Sequence, residues 1–433
     1  MRVVYNILFT FFFLLSSPFY FLKMWRRGNW KKGFGQRFGS YSSKIKQAVT
    51  NRNVVWFHAV SVGEVNVCTQ LIKALEAKMP AIKILVSTTT STGMEELARQ
   101  LPLHIEKIYY PIDFPSNVST ALALFHPKAI VLVEAEIWPN FLWEARRREI
   151  PVFLVNARLS PRSYRGYKRF GFLFRPIFQR FAGVGCQNEE DAKKLADIGF
   201  PRPVIHVVGN LKFDSAKLIQ KSPLDVRTML SQLGFPENAP LLVAGSTHDG
   251  EELILARILK NLMQKFPSLK LILVPRHFER GKEVGNVLRR EGINFVYRSE
   301  VSATTSKKPG EVDCLLVNST GELRYFYEFA TIVFVGKSLT ASGGQNPIEP
   351  GALAKPILFG PHMENFDKIA SALVQRHGAI QVSDEKDLEQ QIARLLSDEA
   401  LRESIGNAAR TIVEENKGSA ERTVDMIVNT FGA

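Results

Sequence analysis

Ser61 and Glu64 stand three residues apart where an apolar run, Val54 to Phe57, breaks at His58 into the small-residue loop of "HAVSVGE". The S-x-x-E spacing fits a capping box, with Ser61 capping a helix and Glu64 reaching back to its free amides. The same carboxylate, kept ionised by the helix dipole and amide donors, could instead take a proton from an attacking hydroxyl. His58 could line that loop, although a lone histidine at a strand end is more often structural. A second acidic pair, Glu134 and Glu136, follows the apolar run that opens "VEAEIWPN". If the strand continues, the two point opposite ways and only one faces a ligand. Glu136 fits a plain helix-start acid, whereas Glu134, at the end of a buried strand, needs a partner. Lys212 in "GNLKFD" is a candidate partner and phosphate ligand.

The second half carries a different chemistry. In "VPRH", Arg276 and His277 sit at a strand exit, where a guanidinium could clamp a phosphate. "GGQNPIEPGA" sets glycines and an Asn-Pro turn before a helix start. Its free amides could hold an anion, and Glu349 one turn in could accept ribose hydroxyls. "STGELR" places Gly321, Glu322 and Leu323 at another helix start, for which a plain cap is the competing reading.

These motifs need strands to present them. Apolar runs at Val54–His58, Ile82–Ser87, Ile105–Tyr110, Ala129–Val133, Val152–Asn156, Gly183–Cys186 and Val204–Val208 alternate with helical patterns. They are apolar throughout, as strands covered on both faces should be. After a polar stretch the grammar restarts with "PLLVAGS", "LKLILVPR", "INFVYR", "DCLLVNS", "TIVFVG" and "KPILFG". The expected fold is α/β, with two doubly wound Rossmann-like domains facing a cleft. Ligands of such sheets lie beyond the strands' carboxyl ends, where all the motifs above fall. The divisions are an anchor over 1–30, a first domain over 31–213, a linker over 214–238 and a second domain over 239–433. Whether the last helix packs back on the first domain stays open.

The whole chain limits the partners. Its 433 residues suit two domains, and 45% apolar with 23% charged residues reads as globular. Three widely separated cysteines exclude a disulfide framework and a Cys-rich zinc site, and they suit a reducing compartment. The net charge of +14 asks for an anionic partner: nucleic acid, membrane or a phosphorylated substrate. From Val3 to Leu22 no side chain is charged, a length sufficient to cross a bilayer core as a helix, with a tilted or partly embedded anchor left open. Lys23, Arg26, Arg27, Lys31, Lys32 and Arg37 follow it and only Arg2 precedes it, which keeps the downstream domains cytoplasmic. A cleaved leader would instead place its charges first and show a small-residue cleavage site. Ala157 to Asn188 contains no acid and interleaves arginines with Tyr and Phe. It reads as a solvated cationic helix, a surface for membrane or phosphorylated lipid, or a single-strand nucleic-acid surface. The anchor favours lipid, and no nucleic-acid partner is expected.

Taken in order, "HAVSVGE", "VEAEIWPN", "NARLS", "GNLKFD", "GSTHDGEE", "LVPRH", "TGELRYFY" and "GGQNPIEP" resemble the Kdo transferase family. Its members move 3-deoxy-D-manno-oct-2-ulosonic acid (Kdo) from CMP-Kdo onto lipid A precursors. The resemblance implies a GT-B type glycosyltransferase at the inner membrane, with the acceptor on the first domain and CMP-Kdo on the second. It implies Glu64 as general base, Glu134 and Lys212 as the charge-stabilising acid and lysine with Glu136 as rival acid, and no metal or other cofactor. The CMP contacts map onto Pro275, Arg276, Gly321, Glu322, Leu323, Asn346, Pro347, Ile348 and Glu349. One departure stands out: Asn318-Ser319-Thr320 replaces the family's Asp-Thr-Met before Gly-Glu-Leu. Because backbone carries part of that contact, CMP binding is expected to survive. Two other readings remain, a GT-B enzyme using a UDP-sugar and an exported two-lobed binding protein.

Overall fold

The apolar runs pair, and every pairing is parallel. A computed structural model describes residues 2–26, 33–49, 53–134, 136–215 and 224–431. Arg27, Lys31 and Lys32 of the basic flank, and 216–223 of the stretch read as a linker, lie outside the described residues. The chain divides into two units, Met1–Asp214 with Lys417–Ala433, and Ser215–Asn416.

In the first unit the strands are β1 (Val55–His58), β2 (Ile84–Thr88), β3 (Glu106–Tyr109), β4 (Ala129–Val133), β5 (Val152–Ala157), β6 (Gly183–Cys186) and β7 (Ile205–Val207). They form one sheet in the order β3-β2-β1-β4-β5-β6-β7. Successive residues feed opposite faces, as the strand period of two requires. Trp56, Ile130, Leu132 and Leu154 enter one core. Val55, Phe57, Val131, Val133 and Val155 enter the other. The C-terminal helix Ser419–Phe431 closes the second core with Val424, Met426 and Ile427. Gly183 permits that approach, because a Cβ there would stand 2.9 Å from Phe153 and 3.2 Å from Met426. Asp214 fastens the returning chain by accepting the amides of Gly418 (2.7 Å) and Ala420 (2.6 Å).

The second unit adds β8 (Leu241–Thr247), β9 (Lys270–Pro275), β10 (Phe295–Tyr297), β11 (Cys314–Leu316), β12 (Ile332–Val335), β13 (Ile357–Phe359) and β14 (Ile380–Gln381). Its sheet runs β10-β11-β9-β8-β12-β13-β14. Within the polar stretch before it, Val226–Gln232 forms a helix, and Gln232 O accepts the Lys307 amide of this unit at 2.8 Å. Strand order reverses between β1 and β4 in one sheet and between β8 and β12 in the other. Those are the switch points where ligands of such sheets bind.

The N-terminal helix, Arg2–Arg26, belongs to the first unit and lies against it along one stripe. Tyr5 Oη donates to Asp113 Oδ2 at 2.8 Å, and Asn140 Nδ2 donates to Asn6 Oδ1 at 2.6 Å. Phe9 and Phe13 set their rings edge-on to Phe114, at 5.3 and 5.1 Å between centroids.

Candidate active site

At the first unit's switch point, β1 exits into the loop that begins the helix Val62–Lys78. Ser61 caps that helix, its Oγ accepting the Glu64 amide at 3.2 Å. Glu64 reaches back: Val60 N–H donates to Oε2 at 2.8 Å and Ser61 Oγ–H to Oε1 at 2.8 Å. The capping box is therefore built. It leaves the carboxylate half-buried, and burial raises its pKa against these donors, with the charge of Glu134 adding to the rise. The amide and hydroxyl donors act to keep Glu64 ionised, as expected, while desolvation is the larger effect and raises its pKa. A carboxylate tuned upward is the better base at neutral pH.

His58 has a different task. It is wholly buried, its Nδ1 lies 2.9 Å from Ser87 Oγ, and its ring stacks on Tyr110 at 3.9 Å. Burial pushes its pKa down to about 3, so it is a neutral packing element.

β4 ends at Val133, and Glu134 turns the chain with φ 65°. That left-handed conformation is uncommon for a residue with a side chain. It also removes the strand geometry that would send Glu134 and Glu136 to opposite sides. Both carboxylates share the field of Glu64: Glu136 has a pKa raised by burial and then by Glu64 and Glu134, while Trp138 Nε1 donates to it at 2.9 Å. The three carboxylates are thus electrostatically coupled. Glu134 pairs directly with Arg158, whose Nη2 lies 2.9 Å from Oε2. Lys212 joins the same field. Its pKa is lowered by burial and by Arg158, while Glu134 raises it.

A run of side-chain amides links the Glu134 carboxylate to the backbone of Lys212. Asn156 Nδ2 donates to Glu134 Oε1 (3.4 Å), Gln187 Nε2 to Asn156 Oδ1 (3.1 Å), Asn210 Nδ2 to Gln187 Oε1 (3.2 Å) and the Lys212 amide to Asn210 Oδ1 (3.0 Å). The chain crosses the exits of β4, β5, β6 and β7. Asn156 has φ 53°, and the β5–β6 register slips there. Sequence reasoning missed these amides, although Asn156 ends an apolar run, Gln187 directly follows one and Asn210 follows another after a single glycine. Gln187→Leu should cut the relay and lower turnover about tenfold, or roughly 1.4 kcal/mol. Steady-state kinetics should show this with acceptor KM little changed.

In the second unit, Pro275 ends β9 and Arg276 is exposed just beyond it, its amide donating to Thr247 O at 3.0 Å beside the β8 exit. Gly321 has φ 83° and open space around its Cα, and Glu322 precedes the short helix Leu323–Tyr327. Arg298 Nη2 and Ser319 Oγ hold Glu322 at 3.1 and 2.5 Å. The departing residues Asn318 and Ser319 are thus used inside the loop, Asn318 also accepting the Ser299 amide at 3.0 Å.

That helix packs on Ile348–Ala352, which Pro347 precedes. Burial raises the pKa of Glu349, and the Asn346 side chain and Arg324 oppose the rise. Asn346 Oδ1 accepts the Ile348 amide at 3.0 Å, so this amide is not free for an anion as the sequence suggested.

Glu251, from "GSTHDGEE", organises the switch point itself. It is wholly buried and accepts four amides, those of His248 (2.9 Å), Lys337 (2.8 Å), Ser338 (2.9 Å) and Leu339 (3.0 Å). One carboxylate thereby joins the exits of β8 and β12. Ser246 and Lys337, at the same exits, both have φ 56°. His248 faces His277 edge-on at 5.9 Å, and burial and Lys337 lower its pKa. Basic side chains gathered at this exit can take a phosphate.

Among solved structures, the fold is similar to UDP-GlcNAc 2-epimerase from Neisseria meningitidis bound to UDP-GlcNAc, with TM-score 0.57 and 16% identity over 87% of this chain and 99% of that one. Two Rossmann-like parallel sheets of this kind define a GT-B type α/β protein. A family model described as 3-deoxy-D-manno-octulosonic-acid transferase matches residues 32–215. The 3-deoxy-D-manno-octulosonic acid transferase of Haemophilus influenzae is 32% identical over 403 residues, 92% of this chain and 91% of that one. Its namesake from Bordetella pertussis is 30% identical, covering 96% and 97%. The chain belongs to the 3-deoxy-D-manno-octulosonic acid transferase family and is a glycosyltransferase.

Proposed function

We propose that the chain transfers Kdo from CMP-Kdo to a hydroxyl of a lipid A precursor in lipopolysaccharide synthesis, at the cytoplasmic face of the inner membrane. The observation that carries this reading is Glu64, held by Val60 and Ser61 with a pKa raised by burial and by Glu134. As the acceptor oxygen bonds to the anomeric carbon of Kdo, Glu64 takes the hydroxyl proton. The bond from that carbon to the phosphate oxygen of CMP breaks, and its electron pair leaves with CMP. A phosphate leaving group is a weak base, so cations can replace an acid. Arg276 and Lys337 are assigned to it on the second unit. Lys212 and Arg158, balanced by Glu134, are assigned to the anionic acceptor on the first. We assign a metal-independent reaction, to be tested by transfer that persists in EDTA.

The acid limb of the pH profile tests the base. Glu64 works only when ionised, so kcat/KM should rise with pH through its raised pKa. Glu134→Gln removes a like charge, lowers that pKa and should move the limb to lower pH. An unmoved limb would remove Glu64 from the proton transfer.

A further inference from the structure

The N-terminal helix is long and apolar enough to cross a bilayer, yet its first turns are committed elsewhere. Tyr5 and Asn6 bond to Asp113 and Asn140, both buried in the first unit, and Asp113 also accepts the amides of Asn140 (3.0 Å) and Phe141 (2.8 Å). Tyr5 lies edge-on to Trp143 at 5.6 Å. Tyr5, Asn6, Phe9 and Phe13 thus form the inward stripe. The opposite stripe, Val3, Ile7, Leu8, Phe11, Leu14 and Leu15, is at least 63% exposed at every position.

A spanning helix cannot keep these bonds. At 1.5 Å per residue Tyr5 stands about 25 Å along the axis from Leu22, close to the thickness of the hydrocarbon core. If the basic flank after Leu22 stayed at the cytoplasmic surface, crossing would carry Tyr5 to the far leaflet. Asp113 and Asn140 would have to follow, and both belong to the packed strand-exit end of the first sheet. The apolar stripe nevertheless needs cover, and its uncharged composition fits acyl chains.

We propose that this helix lies in the plane of the membrane, sunk into the cytoplasmic leaflet by its Val3–Leu15 stripe and fixed to the first unit through Tyr5 and Asn6. Glu136, Trp138 and Asn140 occupy one short segment, so the helix holds the candidate site's rim at the lipid surface. The inference rests on the membrane attachment proposed above.

An Arg2→Cys variant of the full-length protein, whose three natural cysteines are buried, gives the test with a membrane-impermeant maleimide. An in-plane helix is labelled in inside-out inner-membrane vesicles and protected in intact spheroplasts. Labelling from the outer side alone shows a spanning helix and overturns the proposal while sparing the anchor. Recovery of the protein in the soluble fraction, or of a mature chain lacking residue 2, removes the anchor as well. In a second variant, Asn6→Cys with Asn140→Cys, oxidation in membranes should join the two positions. Failure to cross-link, with both thiols reactive in detergent, would count against the in-plane helix.

Discussion

In Glu64→Gln, Kdo transfer should fall by about 10²- to 10⁴-fold, the range a positioned base contributes, while CMP affinity stays within about twofold. This substitution separates the two jobs of the residue. A capping box accepts Gln as well as Glu at its third position, because the amide oxygen can still receive the Val60 N–H. The helix Val62–Lys78 should therefore start as before and melting should shift little. What Gln lacks is a basic oxygen pair able to take a proton. Near-normal turnover in this variant would leave capping as the only role of Glu64. Circular dichroism melting alongside the kinetics distinguishes loss of chemistry from loss of fold.

Glu251→Ala should be the most damaging single change in the second unit. Four amides lose one buried acceptor, and those amides belong to the two loops that leave β8 and β12. Each orphaned buried donor costs about 1–3 kcal/mol before water or relaxation repairs it. A net loss on the order of 4 kcal/mol is expected, a large share of ordinary domain stability. The melting temperature should drop by roughly 10 °C, and added CMP should no longer raise it. Glu251→Gln keeps an acceptor but inserts a donor among donors, so it should fall between Ala and wild type. A melting curve of Glu251→Ala that overlays wild type, with CMP still stabilising, would mean that the loops are held by something else.

Most strands were legible because parallel strands buried on both faces leave an uninterrupted apolar run. β4 and β6 have the boundaries read from sequence, and β1 and β2 differ by a residue or two at their ends. β14 left no such trace, since Ile380 and Gln381 form only two residues of strand and Gln381 is exposed. The placement of β11 between β10 and β9 was equally hidden, because order within a sheet is decided by packing between distant segments. The acids at the β1 and β4 exits could be found from their motifs. Their couplings could not. The Glu134–Arg158 pair and the amide relay through Gln187 join residues more than twenty positions apart, and a left-handed Glu134 has no signature in residue type.

The most direct measurement incubates purified full-length protein with CMP-Kdo and a tetra-acylated lipid A precursor, then weighs the lipid. The expected result is a lipid heavier by one or more Kdo units, with CMP released in equal number and EDTA without effect. A lipid of unchanged mass with CMP-Kdo intact, while a UDP-sugar supplied in its place is consumed, would contradict the proposed reaction.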